Sequence, residues 1–314
     1  MTPPNGPARA PAWRKASLRV APYLVTGAVV AAILRRYPAA SIAHQMAAGH
    51  ALAMLPFGLS MAFVVWLPYA AYDRIVFEGA VGPVPLRDVV RAKAATAVLL
   101  TLGYFLGGGG YAVWIARTTK VGAARAAGAV LYLRASDLTA VCGVAGAAMW
   151  LAGTDAPTAL RTAATWIFSV QAALFLLGPY GGWMHLPELF SAWRRVPRTR
   201  SALQIAGRAG NIAVITAFTW GAMRAFGIAL PASAAAMYLP VILLVASLPI
   251  NVAGFGAGQA AWLLLLPWAN GPQLLAFQAL WTVFTGAGVL ARGVPFVRGV
   301  VREIEEGRAA PSTP

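Results

Sequence analysis

The sequence predicts an all-α, polytopic membrane bundle: about six full spans plus two re-entrant helical hairpins, with a possible inverted repeat. Three observations carry that prediction. The chain of 314 residues is 59% apolar and only 11% charged, against about 25% charged in soluble domains. It holds several apolar runs near the ~20 residues that a helix needs to cross a ~30 Å hydrocarbon layer. The basic residues, which bring the formal charge to +16, fall mainly in short segments between those runs. Continuous runs such as TAATWIFSVQAALFLLGPYGGW lack the alternation of a barrel strand.

Taken in order, residues 1–14 read as a disordered basic tail, 15–300 as one membrane domain and 301–314 as a cytoplasmic tail. The first apolar run, Val20 to Leu34, follows Arg14, Lys15 and Arg19, as a signal peptide does. Arg35 and Arg36 follow it directly and no A-x-A site closes it, so it reads as an uncleaved first helix. The six full spans are Ser17–Leu34, His50–Tyr72, Ala126–Leu151, Leu160–Leu186, Ala209–Leu230 and Gln273–Ala291. Two further apolar segments, Ala92–Ala116 and Met237–Trp268, are each interrupted by glycines near the middle.

Orientation follows from the basic residues. With a cytoplasmic N-terminus, and with both interrupted segments leaving on the side they came from, 20 of the 25 Lys and Arg lie inside. Letting either segment cross fully moves basic residues outside. The reading is therefore an inner-membrane protein with both termini cytoplasmic. The basic stretch WRRVPRTRSALQIAGR reads as an interfacial loop facing anionic lipid. On a soluble chain the same charge would point to nucleic acid, but its placement between spans reads against that.

The interrupted segments pose the functional question. From Pro240 to Ile250 is about 16 Å of helix, enough for half the hydrocarbon. Non-helical backbone at that depth survives only inside protein or beside a water-filled cavity. Discontinuous helices in corresponding positions are also a pointer to a transporter site. Gly107, Gly108, Gly109 and Gly110 therefore read as one tip. Asn251, Gly254, Gly256, Gly258 and Gln259 read as the other, with Asn251 and Gln259 as headgroup donors or as caps of half-helix ends. The competing reading is that the glycines only let helices approach closely.

Pro249, Gly254 and Gly256 form P-x-x-x-x-G-x-G at the C-terminal hairpin, and Arg134 and Asp137 form R-x-x-D in YLRASDLTAV after the first. In order and spacing these resemble the membrane region of lysylphosphatidylglycerol synthases and the related flippase-like integral membrane family, over roughly residues 15 to 300. That resemblance implies translocation of an anionic or polyprenyl-linked lipid by alternating access at the paired hairpins. The family's usual Arg and Glu after the second glycine loop are Gly258 and Gln259 here, and its charged first tip is Gly107–Gly110. The lost charges favour the alternative, a non-transporting membrane partner or regulator of a separate lipid or cell-envelope enzyme. The family's synthases carry a soluble aminoacyl-transfer domain for which the sequence after the last span has no room, so that activity is not expected of this chain.

Arg134 and Asp137 sit three apart on one helix face and can satisfy each other. Charges inside a span also raise a functional role by default, and Asp137 is the acid expected to lie well inside one. Cys142 reads as a small buried thiol. His44 and His50 read as solvated, and His185 as an interfacial hydrogen-bonding residue. The eleven tryptophans read mostly as an interfacial belt. No nucleophile with its base, His/Cys metal set or nucleotide loop is evident, so neither enzyme, metal nor cofactor is expected.

Overall fold

The computed structural model describes residues 12–48, 50–102, 104–152, 157–177, 188–247 and 257–309, and among them the regular structure is helical with no strand. The helices are α1 (Ala12–Arg36), α2 (Ala39–Ala48), α3 (Ala51–Val64), α4 (Trp66–Ala80), α5 (Leu86–Leu102), α6 (Tyr104–Thr119) and α7 (Ala123–Leu151). Then come α8 (Thr158–Leu177), α9 (Ser191–Arg195), α10 (Arg198–Ala225), α11 (Ala232–Ser247), α12 (Ala257–Trp262) and α13 (Gly271–Ala309), with a 3-10 turn at Leu263–Leu265. Among the described residues four stretches are long and apolar enough to cross a membrane: Ala51–Ala80, Ala123–Leu151, Thr158–Leu177 and Gly271–Glu306. The expected span Ser17–Leu34 falls within α1, and Ala209–Leu230 overlaps α10 as far as Ala225; neither helix is among these four.

Local chemistry sets the element ends. The expected span His50–Tyr72 is divided at Val65 into α3 and α4. Pro68 lies four residues beyond Val64 and has no N–H to give its carbonyl, which weakens the ladder there. The last turn of α4 closes with Gly82 donating to Phe77 O (3.0 Å) at φ +123°, a conformation that suits glycine. At the end of α10, Ile228 N–H donates to Met223 O (2.9 Å) across Gly227 at φ +91°, a Schellman closure. That glycine ends the helix at Ala225, short of the expected Leu230.

Close glycine contacts fix the helix registers. Gly58 meets Phe284 and Gly288 meets Ala62, so α3 and α13 run parallel; Gly221 meets Phe57 and Gly207 meets Tyr72, so α10 runs against α3 and α4. Tyr132 bonds Ser201, and Arg208 meets Asp137, so α7 and α10 run parallel. These registers gather the ends of α4, α6 and α13 with the starts of α5, α7 and α10 at one pole, which carries Arg87, Arg91, Arg117, Lys120, Arg125 and Arg198. At that pole Trp114 Nε1 (2.9 Å) and Arg91 (2.7 Å) both bind Glu303, tying the last turns of α13 to α6 and α5. The expected tail from residue 301 is thus helical through Ala309.

The helices α5 and α6 form an antiparallel hairpin whose limbs, 17 and 16 residues, are each about 25 Å long. Its turn lies at residue 103, outside the described residues. The expected break at Gly107–Gly110 is not there: all four glycines lie inside α6. Gly107 is pressed on Leu100, whose backbone would stand 2.9 Å from an added Cβ, and Gly110 faces Leu99. Nothing lies within 4 Å of a Cβ on Gly108 or Gly109. The run therefore serves close packing on one face only. Gly108→Ala and Gly109→Ala are expected to raise thermal stability by roughly 0.5–1 kcal/mol, through helix propensity, while Gly107→Ala lowers it. Thermal unfolding of the three purified variants checks this.

The second hairpin has α11 and α12 packed together as its described limbs. Its tip, with Asn251, Gly254 and Gly256, lies outside the described residues. Gly258 and Gln259 are in α12 and buried, and Gln259 Nε2 donates to Gln278 Oε1 of α13 (3.1 Å). The segment Trp193–Arg208 is also corrected. It is α9 and the first turns of α10 rather than a loop, and Arg208 at its end is fully buried.

Two apolar cores fill the bundle. One, around Phe77, Trp114, Tyr132 and Val196, lies toward the basic pole; the other, around Met149, Met223, Leu239 and Phe277, lies toward the opposite pole. Cys142 is buried in the second, as expected. Along α7 the first core ends near Leu133 and the second begins near Leu138. Arg134 and Asp137 lie in the gap.

Candidate functional site

That gap is a layer of charge drawn from four helices. Asp73, on the buried stripe Ala70–Asp73–Val76–Phe77–Ala80 of α4, is 1% exposed. Its Oδ2 accepts from Lys93 Nζ of α5 (2.5 Å) and Tyr111 Oη of α6 (3.1 Å), and its Oδ1 accepts from Arg208 Nη2 of α10 (2.6 Å). Arg208 is itself 0% exposed and reaches on to Asp137 of α7, which Arg134 flanks at 3.7 Å. The Gln204 amide, oriented by its neighbours, donates to Ser136 (3.1 Å) and accepts from Arg208. Tyr69 lies under both cations, 5.0 Å from Lys93 Nζ and 5.4 Å from the Arg208 guanidinium carbon.

An ion inside an apolar bundle is tolerable only when its partners and hydrogen bonds are nearly complete. Asp73 meets that condition, with three donors on two oxygens. The Arg134–Asp137 pair differs: both side chains keep access, at 30% and 27% exposed. The layer thus has a closed half, Asp73 with Arg208, and a half, Lys93 with Arg134 and Asp137, open to a cavity.

Two cavities meet there. A small one of about 100 Å³ is bounded by Asp73, Lys93, Tyr111, Arg134, Asp137 and Arg292. Arg292 of α13 is anchored by a bond to Ala62 O and by Trp66, 5.7 Å away. A larger one of about 660 Å³ shares Lys93, Leu100, Arg134 and Asp137 with it and continues between apolar faces of α7 (Leu131, Leu138) and α8 (Leu174, Phe175). Around the pair of cavities, three cations (Lys93, Arg134, Arg292) face two carboxylates (Asp73, Asp137), with Arg208 buried behind them. The surplus of positive charge suits an oxyanion, and the apolar continuation suits a hydrocarbon tail.

Of the residues expected to form the site, Arg134 and Asp137 come together here. Gly107–Gly110 sit farther along α6, against α5. Gln259 and Gly258 belong to the opposite-pole core, and Asn251, Gly254 and Gly256 are outside the described residues. Sequence reasoning missed Asp73, one residue past the expected span end, and counted Lys93 and Arg208 on the cytoplasmic side. The spacing of Asp73 with Ala70, Val76, Phe77 and Ala80 places the acid on an apolar helix face, and was the available signal. Among the described residues no group of three His, Cys, Asp or Glu side chains could hold a metal ion.

No protein family and no curated protein matches this chain.

Proposed function

We propose that the chain is a membrane carrier for an anionic amphipathic lipid, with the headgroup held at Lys93, Arg134 and Arg292 and the tail in the apolar cavity beside α7. The observation that carries this reading is the three cations, Lys93, Arg134 and Arg292, against two carboxylates lining a cavity that runs on into an apolar one. Four apolar helices of spanning length support the membrane setting. In this reading the basic pole is cytoplasmic, the α5–α6 and α11–α12 hairpins are re-entrant from opposite sides of an inner membrane, and their arrangement forms an inverted repeat. The likeness of Arg134, Asp137, Pro249, Gly254 and Gly256 to the flippase-like family supports the same assignment. Arg134 can exchange Asp137 for the ligand's oxyanion, so headgroup entry and the opening of one ion pair are a single event. Gln259 remains with the second hairpin, where it would report the other face of the alternating cycle.

The test is flux. In sealed vesicles containing the purified chain, a fluorescently labelled anionic phospholipid is expected to become accessible from both leaflets faster than in protein-free vesicles. Arg134→Gln should slow this about tenfold, the worth of one charge-assisted contact, with thermal stability little changed. Absence of flux by the folded wild type would remove the carrier reading. It would leave the chain as a non-transporting partner of a separate envelope enzyme, the reading favoured by uncharged hairpin tips.

A further inference from the structure

A second concavity lies on the other flank of α8. Both α8 and α10 pack on α7, and between them is a cleft of about 1320 Å³ floored by small residues of α7, including Ala140, Gly143 and Ala147. Its walls are Phe168, Ala172 and Leu176 of α8 and Ala202, Ile205 and Ala209 of α10. From Tyr132 to Ala147 the floor covers about 22 Å of helix, more than one leaflet's half of the ~30 Å hydrocarbon. Among the described lining residues the charged ones lie at one end. There Arg194, Arg198, Ser201 and Tyr132 line the cleft, Tyr132 Oη donates to Ser201 Oγ (2.5 Å), and α10 presents its positive N-terminal end. The polar end lies at the basic pole, and the apolar end points toward the opposite one.

We infer that this cleft is a binding site for an anionic glycerophospholipid, its acyl chains along the α7 floor and its phosphate at Arg194 and Arg198. The site is distinct from the charged layer, although Phe175 and Trp193 border both this cleft and the carrier cavity. Its floor is the α7 face bearing Thr139, Ala140 and Gly143, while the carrier cavity uses the face bearing Leu131, Arg134 and Leu138. The inference rests on the chain lying in a membrane, and it is independent of transport. Charge selects the occupant: a basic end over a long apolar trough matches an anionic lipid, whereas a zwitterionic lipid gains nothing from the two arginines. An occupant here would brace α8 against α10 and so hold the α8 wall of the carrier cavity.

Trp193 lines this cleft and also borders the carrier cavity, so the arginine variants assign its signal to one or the other. The full chain is placed in phosphatidylcholine nanodiscs containing a small fraction of phosphatidylglycerol with brominated acyl chains, and tryptophan quenching is compared with that from brominated phosphatidylcholine at the same fraction. The Trp193 contribution is the difference from Trp193→Phe. Brominated phosphatidylglycerol is expected to be enriched at Trp193 roughly thirtyfold over its mole fraction, the factor two basic residues supply at an anionic headgroup. Arg194→Gln/Arg198→Gln should abolish the enrichment, and Arg134→Gln should leave it unchanged. Equal quenching by the two lipids overturns the inference, and so does no quenching by either, the result if a second copy of the chain fills the cleft. Enrichment that survives the double arginine variant also overturns it. If that variant fails to fold, the wild-type comparison of the two lipids still decides. Loss of flux in the Arg134 variant with enrichment intact separates this site from the carrier cavity.

Discussion

Replacing Asp73 by Leu is expected to prevent accumulation of folded protein. The carboxylate is 1% exposed and takes three hydrogen bonds, two of them from cations on different helices. Its removal leaves Lys93 without its counter-charge, beside Arg208, itself 0% exposed, which keeps only Asp137 among the described carboxylates. Breaking one partner out of a buried ion cluster costs roughly 3–5 kcal/mol, because the remaining charge stays desolvated. That is a large part of the total stability of an ordinary domain. The cause can be isolated. A triple variant, Asp73→Leu with Lys93→Met and Arg208→Leu, removes the charges together and is expected to recover most of the folded yield, since apolar groups of similar volume can replace buried ion sets. Size-exclusion profiles and thermal unfolding in detergent read the recovery. A triple variant as unstable as Asp73→Leu would show that the cluster's geometry, rather than its uncompensated charge, is what the fold requires. In the carrier reading the recovered variant should fold and yet carry little flux, because Lys93 is gone from the cavity.

The cluster also shows where the sequence was readable and where it was not. Long apolar runs fixed the helices: α7 and α8 start within three residues of their expected positions, as does α13, and Arg134 and Asp137 were recognised as intramembrane charges. Such features depend only on composition and on spacing along one helix. Asp73, Lys93 and Arg208 are 20 and 135 residues apart in their pairings, and nothing local announces that Arg208, last in a run of basic residues, turns inward while its neighbours stay at the surface. The four-glycine run misled for a related reason. Glycine breaks a helix or lets a neighbour approach, and the choice depends on what stands opposite. At Gly107 that is the backbone of Leu100, reached only because α5 folds back. A backbone break was expected where the glycines in fact supply a contact surface inside a continuous helix.

The same logic predicts the second large effect, at Gly293 of α13. A Cβ there would stand 2.5 Å from Ala94 O and 2.5 Å from Val98 Cγ2, both on α5. The valine can turn aside, but the carbonyl belongs to the helix and cannot. Gly293→Leu therefore forces α5 and α13 apart, and overpacking of this kind costs typically 1–3 kcal/mol. It acts beside the charged layer, since Ala94 follows Lys93 and Gly293 follows Arg292, two cations that line the small cavity. The expected result is a clear fall in thermal stability together with loss of flux. Gly286→Leu on the same helix, with open space at its Cβ, should be nearly neutral in both. Adding Val98→Ala to Gly293→Leu removes the side-chain clash and leaves the carbonyl clash, so only part of the stability should return. Complete recovery would mean that α5 and α13 are held apart by side chains alone. In that case the glycine would set packing but not the spacing of Lys93 and Arg292, and the cavity's width would have to be fixed instead by the ties of Arg91 and Trp114 to Glu303 at the basic pole.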